Sequence, residues 1–107
     1  MSGFYIHMLY ITQLIYIKPG EEDVFDEFER IAIPIISKYN GKLLFRVRPS
    51  ENNFIERNIV SPYEIHLVEF ASEPDFQNFM KDAERKQFLH LKEKSIESSL
   101  LFKGEKI

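Results

Sequence analysis

One long amphipathic pattern, typical of a helix, most constrains how this chain can fold. From Glu21 onward, apolar side chains recur over several turns with the i, i+3, i+4, i+7 spacing of a helix: Val24, Phe25, Phe28, Ile31, Ala32, Ile35, Ile36 and Tyr39. Acidic residues at 21–23 suit the positive end of the helix dipole, and Asn40-Gly41 supplies a left-handed stop. Pro34 removes one backbone hydrogen bond inside this helix and predicts a kink there.

Four other segments have the residue types or the alternation of β-strands. They are Phe4–Ile17, closed by the turn Lys18-Pro19-Gly20, then Lys42–Arg48, Tyr63–Phe70 and Leu100–Lys103. The alternation in the second of these is regular except at Leu44. Strands rarely exceed about 10 residues, so Phe4–Met8 is expected to be a separate arm or a frayed start.

A second helical region follows the third strand. Ser72 is the expected N-cap, with Pro74 in the first turn and Asp75 at N3. Two apolar stripes indicate two helical pieces, one through Phe76, Phe79, Met80 and Ala83 and one through Phe88, Leu89, Leu91 and Ile96. The long connection Glu51–Pro62 contains several apolar residues and is expected to pack against another part of the protein.

The resulting β-α-β-β-α-β order predicts an α+β, ferredoxin-like fold in a single domain over residues 1–107. This fold has a four-stranded antiparallel sheet with its helices on one face. The strands are apolar on both faces, so the open face should carry Tyr10, Leu14, Tyr16, Leu44, Ile65 and Leu67. At on the order of 100 Å² each, these side chains form an apolar patch of roughly 600 Å², which soluble monomers rarely expose. We therefore expect a homodimer whose sheets pack face to face.

Composition and motifs disfavour several function classes. The formal charge of -3 lacks the basic excess that nucleic-acid binding requires, and a chain without cysteine has no thiol nucleophile. The four isolated glycines form no phosphate loop or dinucleotide fingerprint, so no cofactor is expected. The apolar N-terminal stretch is shorter than the about 20 residues of a membrane span. No Lys or Arg precedes Lys18, as a secretory signal would require, so no membrane partner and a cytoplasmic location are expected.

Several motifs between Tyr10 and Glu105 are similar in residue type and spacing to those of a known family. They comprise Ile17-Lys18-Pro19-Gly20, Phe25, Phe28, Ile33-Pro34, Tyr39-Asn40-Gly41-Lys42, Arg46, Val68-Glu69-Phe70-Ala71-Ser72 and Phe88-Leu89-His90-Leu91-Lys92. In these the chain resembles the dimeric α+β barrel superfamily, and most closely its uncharacterised branch, the domain-of-unknown-function family thirteen-thirty. The superfamily includes cofactor-independent monooxygenases, haem-degrading enzymes, lactone isomerases and proteins without known activity. The chain has no tryptophan, which recurs in the active sites of the haem-degrading and quinone-forming relatives, so these two activities are disfavoured.

Two charged residues on the predicted sheet are candidates for chemistry. Arg46 has the parity of Leu44, so it should point toward the space between sheet and partner and could bind a carboxylate-bearing ligand. Glu69 has the parity of Ile65 and is the expected ion-pair partner of Arg46. A structural salt bridge between them is favoured over a binding role, in which Glu69 would act as a general base.

The histidines and tyrosines are weaker candidates. His66 lies on the opposite strand face from Glu69, so a partly buried imidazole facing the helices is favoured. With reversed parity, His66 would enter the cleft as an acid-base group or a haem ligand. Tyr10 and Tyr16 could stack on an aromatic ligand, although interface packing is favoured. The histidines at 7, 66 and 90 have no paired carboxylate at ligand spacing, so no metal site is predicted.

Two functions remain open. In the first, the protein binds or converts a small organic molecule, aromatic or acidic, in a cleft between sheet and helices. Arg46 would hold an acidic group there, and Glu69 or His66 would move a proton. In the second, the protein is a non-catalytic dimeric ligand sensor or interaction module. What separates the two is whether polar residues converge on one cavity, and this depends on strand parity.

Overall fold

The structure is a computed structural model and describes residues 7–107, so most of the predicted arm lies outside the described residues. The elements are β1 (Leu9–Ile17), α1 (Glu22–Ile35), β2 (Gly41–Val47), β3 (Glu64–Phe70), α2 (Glu73–Met80), α3 (Ala83–Gln87), α4 (Leu89–Ser95) and β4 (Ile96–Gly104). The sheet order is β2-β3-β1-β4, and every neighbouring pair is antiparallel. The predicted ferredoxin-like α+β fold is confirmed, with helices on one face of a four-stranded sheet.

Helix α1 begins and ends where its sequence indicates. Glu22 and Asp23 occupy the first turn, and Pro34 lies in the last turn. A 3-10 turn, Ile36–Tyr39, continues the helix, and Asn40 ends it in the left-handed conformation with φ 56°. Asn is one of the few residues that adopt this conformation at low cost, which makes it an effective stop.

The core lies between the sheet and the helices. The sheet contributes Ile11, Ile15, Val68 and Phe70, and the helical side contributes Phe25, Phe28, Ala32, Ile35, Ile36 and Phe76. At the N-terminus of α2, the Ser72 hydroxyl accepts the backbone N–H of Asp75, as the sequence predicts for an N-cap.

Strand β2 contains a bulge that changes the face of its last residues. Leu43 pairs with Val68 and Phe45 with Leu67, so Leu44 is an extra residue between two successive pairs. Because a bulge inserts one residue, side-chain alternation beyond it is reversed. Arg46 consequently pairs with His66 and lies on the helix-facing side. The expectation that Arg46 points to the open face is wrong for this reason.

The C-terminal region has more strand and shorter helices than its pattern suggests. The expected second helical stripe, Phe88 to Ile96, corresponds to α4, and α3 is an additional short helix in the polar segment before it. The strand begins at Ile96 instead of Leu100. Pairing of β4 with β1 begins at the pair Ile17 and Ile96, and this long ladder satisfies backbone groups that a longer helix would have paired internally. Tertiary pairing thus overrides the local helical pattern.

The open face of the sheet is apolar, as predicted. Tyr10, Leu14, Tyr16, Ile65 and Leu67 are half-buried there, and Phe45, Val47, Leu100 and Phe102 add exposed apolar surface. Leu44, expected on this face, is the extra residue of the bulge. In the 51–62 loop, Ile55, Ile59 and Val60 are exposed, although the Tyr16 hydroxyl donates to the Val60 carbonyl at 2.6 Å. No helix among residues 7–107 is long and apolar enough to span a bilayer.

Candidate functional site

A cavity of about 80 Å³ lies between the sheet and the helices, and we call it the helix-side cavity. Most of its wall is apolar and includes Ile11, Phe28, Ala32, Ile33, Ile36, Val68, Phe76, Phe79 and Met80. Five polar side chains reach the same space, namely Gln13, Glu29, His66, Arg85 and Lys92. A mostly apolar cavity with a few convergent polar groups is the usual composition of a small-molecule site.

Glu64 at the start of β3 anchors the charged groups beside this cavity. Its side chain is only 1% exposed and accepts hydrogen bonds from Arg46 Nε at 3.0 Å and Arg48 Nε at 2.8 Å. His66 Nε2 also contacts its carboxylate, and Arg48 makes a second ion pair with Asp26. Burial disfavours the ionised carboxylate, but the hydrogen bonds from His66, Arg46 and Arg48 outweigh it and lower the pKa of Glu64 to about 2.

The carboxylate that neutralises Arg46 is therefore Glu64, and the expected pairing with Glu69 is wrong. Glu69 lies opposite Tyr10 and Lys42 on the open side of the sheet. Because the bulge in β2 sends Arg46 to the other side, the two residues cannot meet. The sequence-predicted candidates are thus divided between two faces of the sheet.

His66 faces the helices, as predicted, and it also lines the helix-side cavity. The buried Glu29 of α1 places its Oε2 4.0 Å from His66 Nε2. Burial raises the pKa of Glu29, and the charge of Glu64 adds to this effect, whereas the charges of His66, Arg46 and Arg85 oppose it. Glu29 and His66 thus form a buried carboxyl-imidazole pair at the cavity wall.

Two cations lie on the helical side of the cavity. Arg85 is only 6% exposed, and its guanidinium carbon lies 5.9 Å and 5.2 Å from the ring centroids of Phe28 and Phe79. Its Nη1 donates to the Met80 carbonyl at 3.2 Å, while its Nε has no hydrogen-bond partner. Lys92 of α4 is half-buried. Burial lowers the pKa of both groups, and the charge of Arg85 further lowers that of Lys92.

A metal ion fits this cluster poorly. Glu29, Glu64 and His66 place one potential ligand atom each within 4.8 Å of one another. The sequence, in which no carboxylate stands at ligand spacing from a histidine, did not predict this cluster. The Glu64 oxygens, however, already accept hydrogen bonds from Arg46 and Arg48. A cation would have to replace these bonds and would meet two positive charges.

The other sequence-predicted residues lie away from the cavity. Tyr10 and Tyr16 are on the open face of the sheet, where the Tyr16 hydroxyl is bound to the loop. His90 is exposed on α4, and exposed His7 lies 3.5 Å from Glu105.

Sequence reasoning missed Glu29, Glu64, Arg85 and Lys92. Glu29 lies four residues after Phe25, inside the apolar stripe of α1, and Glu64 shares the strand parity of His66. A charged residue at a core position is the signal that would have identified these two carboxylates. Arg85 and Lys92 lie in a polar segment, where no comparable signal exists.

Comparisons with known proteins support the fold. No family model and no curated protein matches the sequence. Solved structures that resemble it include a protein of unknown function from Rhodopseudomonas palustris, with TM-score 0.79, 12% identity, and 96% of this chain and 85% of that chain covered. A NIPSNAP family protein of unknown function from Agrobacterium tumefaciens gives TM-score 0.67 at 19% identity, covering 99% and 94%.

A further structure is a dabb family protein with a ferredoxin-like fold from Mesorhizobium loti, with TM-score 0.69, 15% identity, and coverage of 94% and 98%. Identities this low establish a shared architecture and no shared activity. The chain therefore belongs with these proteins at the level of the ferredoxin-like α+β fold.

Proposed function

We propose that the protein binds, and in an enzymatic role converts, a small organic molecule in the helix-side cavity without a nucleotide cofactor. The observation that carries this proposal is the convergence of five polar side chains, acidic, basic and neutral, on one otherwise apolar cavity. Such a convergence is the feature that favours a small-molecule enzyme or binder over a non-catalytic dimeric sensor or interaction module.

The size of the cavity limits the ligand. An engineered apolar cavity of about 150 Å³ in another protein accepts benzene. The helix-side cavity has about half that volume, which favours a compact ligand of a few non-hydrogen atoms over an aromatic ring.

The buried pair of Glu29 and His66 supports proton transfer at a bound ligand. Burial raises the pKa of Glu29, and its Oε2 lies 4.0 Å from His66 Nε2, so two side chains of the kinds that most often act as general acids and bases line one cavity. The alternative of a non-catalytic ligand sensor uses the same cavity without chemistry. It is supported by the contact between His66 Nε2 and Glu64, which engages one ring nitrogen.

The test is ligand detection by amide NMR with a panel of compact organic acids, amides and alcohols. Ala32 lines the cavity, and Ala32→Leu adds three carbon atoms to that space, so the variant should lose binding while retaining the fold. Ala83→Leu, at an exposed position of α3, is the matched control and should bind as the wild type does. Panel compounds that shift no amide of the cavity wall, or that bind Ala32→Leu unchanged, would refute the proposal.

We further propose that the protein is a homodimer joined through the open face of its sheet. The apolar side chains there, including Phe45, Leu100 and Phe102, support this arrangement. Membership of the domain-of-unknown-function family thirteen-thirty and a cytoplasmic location remain proposals that rest on the sequence.

A further inference from the structure

We infer that the helix-side cavity takes a compact carboxylate and that Arg85 and Lys92, not Arg46, hold its carboxylate group. The inference rests on the proposed function, because it names the ligand class of the same cavity.

The strongest support is the unpaired N–H of Arg85. The side chain is more than nine-tenths buried, lines the cavity, and leaves Nε without a hydrogen-bond partner. A buried charged donor is costly to leave unpaired, so this N–H marks a position where an acceptor fits. A carboxylate can accept from Nε with one oxygen and from a neighbouring guanidinium nitrogen with the other.

The charge balance of the cavity also favours an anion. On the sheet side, Arg46 and Arg48 are matched by Glu64 and Asp26, with which they form ion pairs. At the cavity, Arg85 and Lys92 form no salt bridge within residues 7–107.

Two acids lie near Arg85 and Lys92 without forming a salt bridge to either cation. Glu29 also lines the cavity, but burial raises its pKa, and the basic group that it contacts is His66, at 4.0 Å. Asp82 is engaged by the Tyr39 hydroxyl and by the backbone N–H of Arg85, and lies 4.0 Å from Lys38 Nζ. A monoanion would balance the positive charge that remains.

The apolar residues of the cavity wall favour a ligand whose remaining part is a hydrocarbon. Phe28 and Phe79 flank the guanidinium, and Ile33 and Met80 extend the apolar lining. Apart from Gln13 and His66, the rest of the wall offers no side-chain donor to the remaining oxygens of a phosphate or sulfate, so these ions would be poorly solvated there. Together with the volume of about 80 Å³, this favours a short, branched aliphatic acid.

The test compares isobutyrate with isobutyramide, which has nearly the same shape and no charge. Amide NMR titrations would measure Kd for both compounds with the wild type, Arg85→Gln, Lys92→Met and Arg30→Gln. Arg30 is exposed on α1 and serves as the control for loss of an arginine. We expect the wild type to bind isobutyrate about tenfold or more tightly than the amide. Arg85→Gln should weaken isobutyrate by about tenfold and leave isobutyramide unchanged, and Lys92→Met should act in the same direction.

The outcomes separate the two proposals. Equal affinity of the wild type for both compounds, or unchanged isobutyrate binding by Arg85→Gln, overturns the carboxylate inference while the proposed function stands. Binding of neither compound, nor of any other panel member, overturns both. If Arg85→Gln does not fold, as judged from its amide spectrum, Arg85→Lys replaces it. That variant keeps the charge and loses the planar fork, so it should still weaken isobutyrate and spare the amide.

Discussion

At the scale of single residues, Glu64 determines the electrostatics of the sheet. Its carboxylate is buried, yet it stays ionised because two arginines and a histidine donate to it. Removal of one partner from a buried ion pair leaves uncompensated charge, which costs about 3 to 5 kcal/mol. Glu64 is therefore a buried anion whose charge is compensated by Arg46 and Arg48, two arginines that are themselves partly exposed.

The pKa of Glu64 predicts how stability changes with pH. The folded-state pKa of about 2 lies below the ordinary value of 4.5, so ionised Glu64 stabilises the fold above about pH 4.5. This contribution, roughly 3 kcal/mol, is lost as the pH falls from 4.5 toward 2. Glu64→Gln should be less stable than the wild type at neutral pH, and the difference should shrink over this range.

Urea unfolding of both proteins at a series of pH values measures this difference. Glu29, whose pKa is raised and whose titration acts in the opposite sense, is present in both proteins, so the comparison removes the part of its effect that does not depend on Glu64. The exposed Glu97→Gln variant should follow the wild type at every pH. A gap between wild type and Glu64→Gln that stays constant down to about pH 2 would contradict the assignment.

At the scale of elements, the bulge in β2 decides which residues reach the core. Leu43 before the bulge and Arg46 after it both face the helices, although regular alternation would place them on opposite faces. Insertion of one alanine between Phe45 and Arg46 would reverse the alternation once more, so either Leu43 would leave the core or Arg46 would leave Glu64.

We expect this insertion to lower the free energy of unfolding by about 3 kcal/mol or more. Insertion of one alanine after the fully exposed Ile55 is the matched control and should change it by less than about 0.5 kcal/mol, since loop closure depends weakly on length. Denaturant titration of the two insertion variants makes the comparison, and equal stabilities would show that the bulge does not set the register.

The same bulge explains how far the sequence predicts the site. Helical and strand periodicities predict the element order and the face of His66, because they continue through each element without interruption. The alternation of β2 does not reveal where the extra residue is inserted, and Leu44 looks like one exception in a regular strand. A one-residue error in the predicted register therefore places Arg46 on the wrong face of the sheet. It also gives Glu69 as the partner of Arg46, where the structure has Glu64.

At the scale of the whole molecule, the open face of the sheet is large enough for a dimer interface. Five of the six side chains expected from sequence, all but Leu44, lie on this face and account for roughly 500 Å² at on the order of 100 Å² each. Phe45, Val47, Leu100 and Phe102 bring the patch close to the about 800 Å² per partner that stable interfaces bury.

The proposed homodimer predicts a solution mass of twice the 12.7 kDa chain at micromolar concentration. Phe102→Glu places a charge on the open face and should shift the mass toward the monomer. Gln87→Glu adds the same charge to an exposed position on α3 and should leave the mass unchanged. Light scattering after size exclusion gives all three masses, and a wild-type monomer would exclude the dimer.

The sheet is one strand layer thick, and it separates the open face from the helix-side cavity. Along β3, Leu67 lies on the open face and its neighbour His66 lines the helix-side cavity, so adjacent residues belong to different surfaces. Substitutions on the two sides share few contacts, and their free-energy effects should be close to additive. The proposed subunit association and the proposed ligand binding would thus be open to independent selection, or to independent redesign, within a single short polypeptide.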